Sequence, residues 1–264
     1  MRHFLTLRDF SKDEILRLLN FAADIKAKPR KALLDKSLAM IFEKNSTRTR
    51  MAFELAITQL GGKALFLSSN DLQLSRGEPV KDTARVIGSM VDFVMMRVNS
   101  HQTLLDFAQY SKCPVINGLS DLYHPTQVLG DLLTMKEYGK KGKVAFVGDS
   151  NNMCNSWLIA AAILGLEFSV AIPPNYEINA EILAFAKEKA RNSGAKLDIS
   201  TDKMRALKDA QVIITDTWVS MGQESQKQKR LKDFAGFIIE KCMLKPCAKA
   251  RTFPASKFGA ISRS

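Results

Sequence analysis

The chain has 264 residues, enough for one large core or two domains of about 130 residues each, and its 46% hydrophobic and 25% charged residues are ordinary for a globular protein. No apolar run of ~18 residues occurs and the opening Met1–Phe10 carries early charges without a signal-type apolar block, so a cytoplasmic protein without a membrane span is expected. The net charge of +12 raises nucleic acid as a partner, but six Lys/Arg against one acid lie from Ile238 onward, and the mildly basic remainder has no basic stripe interleaved with aromatics; no nucleic-acid partner is expected.

In chain order, short apolar runs alternate with amphipathic stretches, the pattern of an α/β protein with parallel sheets. Strands are predicted at Leu38–Phe42, Ala64–Leu67, Phe93–Met96 and Pro114–Ile116, with helices near Lys12–Lys26, Thr47–Leu60, Lys81–Met90 and Gln102–Ser111. The helical run Pro125–Tyr138 follows, with Val128, Leu129, Leu132 and Met135 at helical spacing. After Gly139-Lys140-Lys141-Gly142 the alternation restarts: strands at Val144–Val147, Phe168–Ile172, Lys196–Ile199 and Val212–Thr215, helices near Asn152–Leu164, Ala180–Ser193 and Lys203–Lys208. Two α/β domains, each a mainly parallel sheet flanked by helices and joined by the Pro125–Tyr138 helix, are predicted, with boundaries at 1–130 and 131–264. Gln226–Phe237 reads as a charged helix. Beyond it neither helical nor strand periodicity survives, and residues from about 240 to 264 are expected to be poorly ordered, an aberrant ending on an otherwise normal chain.

Four motifs carry chemistry. Ser46-Thr47-Arg48-Thr49-Arg50 follows a strand and opens a helix, where free N–H groups and a partial positive charge meet hydroxyls and guanidinium groups. That suits a phosphate cradle, the competing reading being a plain helix cap with solvated arginines. In His124-Pro125-Thr126-Gln127 the proline fits the first helical turn, and His and Gln together can donate two hydrogen bonds to a carbonyl oxygen; a capping histidine is the competing reading. Asp216-Thr217-Trp218-Val219-Ser220-Met221-Gly222 leaves a strand end, where open α/β sheets bind ligands, and its carboxylate suits an ammonium group. Gly148-Asp149-Ser150-Asn151-Asn152 lacks the dinucleotide fingerprint GxGxxG, and its paired asparagines suit an amino acid's amine and carboxylate. Either of the last two can also be simple turn chemistry. Four cysteines and three histidines show no metal-ligand spacing, so no metal site or disulfide is predicted.

In this order and spacing the four motifs resemble those of the aspartate/ornithine carbamoyltransferase family, over roughly residues 1–237. The resemblance implies two α/β domains, one for carbamoyl phosphate and one for the amino acid, assembled as a homotrimer with sites at subunit boundaries. It implies Ser46, Thr47, Arg48 and Thr49 as the phosphate cradle and Arg97 as an arginine reaching carbamoyl phosphate. His124 and Gln127 would act on the carbamoyl group, and Gln73, from Leu72–Glu78, would be lent by a neighbouring subunit. Asn152, Asp216, Ser220 and Met221 would bind ornithine, since Ser220-Met221-Gly222 offers no cation for aspartate's second carboxylate. The implied reaction carries the carbamoyl group to the δ-amine of ornithine, giving citrulline and phosphate, with Arg48, Arg97 and His124 catalytic and no cofactor. Transfer to putrescine or an acylated ornithine, and a non-catalytic carbamoyl-phosphate binder, are the alternatives. The family's His-Cys-Leu-Pro motif, late arginine and closing helix find no match after Phe237, and impaired activity is the corresponding expectation.

Overall fold

A computed structural model describes residues 1–68, 72–73, 77–219, 224–240 and 251–254. They fall into two compact units, Met1–Leu129 and Gly130–Ser264.

The first unit holds a four-stranded sheet of β1 (Ser37–Phe42), β2 (Lys63–Ser68), β3 (Phe93–Arg97) and β4 (Val115–Leu119), in the spatial order β2-β1-β3-β4 and parallel throughout. Because β1, β3 and most of β4 are covered on both faces, they read as apolar runs rather than alternating ones. Around the sheet stand α1 (Lys12–Ala27), α2 (Thr47–Gln59), α3 (Val80–Met90) and α4 (His101–Tyr110), followed by α5 (Pro125–Glu137). A Ser11/Glu14 capping box starts α1. The chain leaves β1 for β2 on one side and then returns to place β3 on the other. In open α/β sheets, ligands bind beyond the carboxyl ends of the strands at such a reversal, here β1 and β3.

The second unit repeats the arrangement with β5 (Val144–Val147), β6 (Glu167–Ala171), β7 (Lys196–Ser200), β8 (Val212–Thr215) and β9 (Arg251–Pro254), ordered β7-β6-β5-β8-β9 and parallel. Its helices are α6 (Asn152–Leu164), α7 (Ala180–Ser193), α8 (Lys203–Leu207) and α9 (Lys227–Asp233). From Met153 to Leu164 every residue of α6 is buried, as expected of a helix apolar on all sides. Here the reversal lies between β5 and β8.

The inward face of α2 is one of two that its sequence allows. Phe53 and Ile57 pack on Leu38, Met40, Phe42 and Met95, while Leu55 is exposed. Met51, Phe53, Leu55 and Ile57 alternate, so the helix offers two apolar faces and only packing selects one. Of the stretch expected to be poorly ordered, about 240–264, residues 241–250 and 255–264 lie outside the described residues, while Arg251–Pro254 pairs with β8. An edge strand needs only extended backbone along one side, and a proline is tolerated in that position. The predicted single helix Gln226–Phe237 is broken into α9 flanked by two 3-10 turns.

Candidate active site

In the first unit three strand ends deliver the motif residues. Ser46, in extended conformation just before α2, accepts the Thr49 backbone N–H at 3.3 Å and so caps the helix. Arg97 ends β3, only 6% exposed, and its Nη1 donates to Thr49 Oγ1 at 3.3 Å. Its Nε is buried without a hydrogen-bond partner. Burial first, and then the charge of Arg48, pull the Arg97 pKa down. Among the described residues neither Arg48 nor Arg97 has a carboxylate partner. Buried unpaired cation is costly unless an anion completes it.

His124 is placed by a tight turn after β4. Ser120 N–H donates to the Tyr123 carbonyl at 2.9 Å, Tyr123 N–H returns to Ser120 Oγ at 3.2 Å, and Pro125 then starts α5. His124 and Gln127 are both buried. Burial, reinforced by the charge of Arg97, lowers the His124 pKa to about 3, so its ring is neutral at physiological pH. Thr126 Oγ1 lies 3.5 Å from His124 Nδ1. Where that hydroxyl donates, the ring proton sits on Nε2, the tautomer that donates from its outer nitrogen.

The geometry of Arg97 depends on residues that the motifs did not flag. Between Met96 and Arg97 the pairing with β4 shifts register, so that Met96 faces Asn117 and Arg97 faces Leu119. Gly118 is the residue skipped, and a Cβ there would meet Met95 Sδ at 2.5 Å. Such a bulge re-aims the side chain beside it. Glu43 latches the ends of β1 and β3: its N–H donates to the Arg97 carbonyl at 2.9 Å and its Oε2 accepts from Asn99 N–H at 2.6 Å. An acid at a strand end, just ahead of the cradle motif, was the signal available. Arg50, although within that motif, turns away, lying over the Phe66 ring at 3.7 Å and reaching Glu54. Thr47 and Arg48 are exposed beside the cap. Gln73 is exposed too, and its carbonyl accepts from Glu78 N–H at 3.1 Å.

In the second unit Gly148 follows β5, with a φ of +155° that favours glycine. Asn151 caps α6 through Oδ1, which accepts from Met153 and Cys154, and its Nδ2 donates to the Asp216 carboxylate at 2.9 Å. Asp216 also accepts the Thr217 N–H at 2.8 Å. Asn152, half-buried, opens α6 beside it. Ser220 and Met221 lie outside the described residues. Asp149 is buried against Arg230 of α9, an ion pair the sequence reading did not identify. The sequence offered one clue, the four- and seven-residue spacing of Arg230 to Phe234 and Phe237.

Residues 2–137 match the family model described as the carbamoyl-phosphate-binding domain of aspartate/ornithine carbamoyltransferase, and residues 140–253 match its Asp/Orn-binding domain. The chain is 73% identical over 244 residues to an ornithine carbamoyltransferase of Campylobacter jejuni strain 81-176, covering 91% of this chain and 80% of the relative. The crystal structure of an anabolic ornithine carbamoyltransferase from Campylobacter jejuni superposes with a TM-score of 0.91 at 69% identity, over 95% of this chain and 83% of that one. The ornithine carbamoyltransferase of Pyrococcus furiosus gives a TM-score of 0.88 at 43% identity, over 95% and 82%.

Proposed function

The chain belongs to the aspartate/ornithine carbamoyltransferase family, and from that premise we propose how its residues carry the transfer. It is a carbamoyltransferase that takes carbamoyl phosphate and ornithine to citrulline and phosphate, in arginine biosynthesis. The relatives' names favour this over transfer to putrescine or an acylated ornithine and over a non-catalytic binder.

Residues 1–130 bind carbamoyl phosphate. Ser46, Thr47 and Thr49 with the α2 N-terminus cradle the phosphate, and Arg48 and Arg97 neutralise it as it becomes the leaving group. The observation that carries this reading is the Arg97 guanidinium, buried beside the cap with Nε unpartnered. His124, held neutral, donates to the carbamoyl oxygen with Gln127, as a donor that needs no proton transfer to do so. Gln73 completes the site from a neighbouring copy. Residues 131–264 bind ornithine: Asp216 takes the amine side, and Asn152, Ser220 and Met221 the amino-acid end. The δ-amine attacks as the neutral species, the C–O bond to phosphate breaks, and the amine proton goes to solvent or phosphate.

We further infer a homotrimer in the cytoplasm, with no nucleic-acid or membrane partner. Support for self-association comes from Met51 and Leu55 on α2 and Leu65 and Phe66 on β2, exposed at 55, 51, 49 and 37%. Large apolar side chains exposed on this edge strand and the helix before it suit a covering surface. Cys113 and Cys154, buried and unpaired, fit a reducing compartment.

The test is citrulline formation from ornithine and carbamoyl phosphate by purified protein whose fold is verified by circular dichroism. Turnover that rises with pH toward the amine's pKa, near ~10, is expected. Folded protein making no citrulline would overturn the reading. Light scattering gives the assembly, for which three times the 29.4 kDa of one chain is expected.

A further inference from the structure

Arg230 sits in a helix whose neighbours Lys227, Lys229 and Lys232 are exposed, yet it is only 4% exposed itself. Two of its nitrogens are bonded: Nη2 donates to the Asp149 carboxylate, and Nε donates to the Trp218 carbonyl at 2.5 Å. The rings of Tyr176 and Phe234, in edge contact with each other at 4.7 Å, lie on one side of it, with centroids 5.0 and 5.3 Å away. Tyr176 is itself fixed by its hydroxyl, which donates to Asp233 at 2.8 Å.

Asp149 belongs to the turn after β5 and Trp218 to the turn after β8, the two strands flanking the chain reversal of this unit. A second tie, Asn151 Nδ2 to Asp216, joins the same two turns. Arg230 takes no part in the carbamoyl transfer set out above.

We propose that Arg230 is a positioning residue for the amino-acid half of the site: its fork clamps the turn after β8 to the turn after β5 and thereby sets the affinity for ornithine. This rests on the assignment of Asp216 and Asn152 to that substrate. The clamp needs arginine's shape. A planar fork donates in two directions while it lies against a pair of rings, whereas an ammonium group is a point charge on a flexible stem. Lysine at 230 keeps a cation for Asp149, which burial drives toward the protonated form, but it cannot also hold the Trp218 carbonyl. The fold then survives while the turn carrying Asp216 loosens.

The experiment uses the full chain with Arg230→Lys and Asp149→Asn. Initial rates give separate KM values for ornithine and carbamoyl phosphate, and hydrogen exchange follows the amides of Thr217, Trp218 and Val219. For R230K the ornithine KM is expected to rise about tenfold or more while that for carbamoyl phosphate stays within about twofold. The three amides exchange faster, and the circular dichroism spectrum is unchanged. D149N, which keeps an acceptor for the fork but loses the charge, moves the ornithine KM in the same direction. Unchanged loop exchange in folded R230K overturns the proposal, as do two KM values that rise together or not at all. Should the unsubstituted protein make no citrulline, the carbamoyltransferase reading falls, while the exchange comparison still decides the role of Arg230.

Discussion

Arg97, at the end of β3, and Arg230, in α9, are both buried arginines, yet their surroundings differ. In residues 1–129, Arg97 lies near Arg48 with its Nε unpartnered, and burial first, then the charge of Arg97, keeps His124 neutral. In residues 130–264, Arg230 is matched by Asp149, a carbonyl and two rings, and Asp216 is matched by Asn151. With the proposed site assignment, the surroundings of Arg97 leave positive charge for a phosphate to complete, whereas Arg230 is matched and braces a loop. Affinity for phosphate would then come at the expense of unliganded stability, and affinity for the amino acid would depend on how firmly that loop is held.

The largest expected effect breaks the first half of that contrast. Arg97→Met should lower kcat/KM for carbamoyl phosphate by about a thousandfold, roughly 4 kcal/mol of lost electrostatic stabilisation, while unliganded thermal stability holds or rises because an unpaired buried cation is gone. A destabilised R97M would show that Arg97 is structurally required. Next, phosphate at about 100 times its Kd should stabilise the protein by about 2.7 kcal/mol in thermal unfolding. R97M should lose that shift and R230K retain it. Loss in both would erase the distinction between the units.

A smaller effect concerns pH. The folded pKa of His124 is about 3 against an ordinary 6.5, so as pH falls below 6.5 the unfolded chain takes up a proton that the folded one refuses. Stability attributable to this group is intact above pH 6.5 and declines by about 1.4 kcal/mol per pH unit on the way to pH 3. Urea melts from pH 7 to 5 should show a drop about 2 kcal/mol larger than those of His124→Asn, a difference that excludes the contributions of His3 and His101. Smallest is Arg50→Ala. An exposed arginine over Phe66 with a surface partner at Glu54 is worth about 0.5–1 kcal/mol, and carbamoyl phosphate KM should not change.

Sequence periodicity located the strands well because a parallel sheet covered on both faces demands continuous apolar runs, as at Val144–Val147. The strand-end motifs were equally legible, since a cap such as Ser46 is a local arrangement. What stayed hidden depends on partners distant in sequence. Arg230 among lysines looks like any solvated helix face, and only the fold brings Asp149 to it. Glu43 became recognisable as a latch only once β1 and β3 were side by side. The inward face of α2 and the pairing of Arg251–Pro254 were likewise decided by packing and backbone geometry rather than by local pattern.

The Glu43 latch also bears on how the protein folds. Ser46, Arg97 and His124 come from three strand ends, and the latch joins residues 43 and 99, so the phosphate site consists of contacts between distant parts of the chain. Such contacts form after local helices, once loop closure has been achieved. A nascent chain released before β3 would have the α2 cap but neither Arg97 nor the latch that positions it. Phosphate should leave the refolding rate nearly unchanged and slow unfolding instead, making anion binding a reporter of completed folding in this unit.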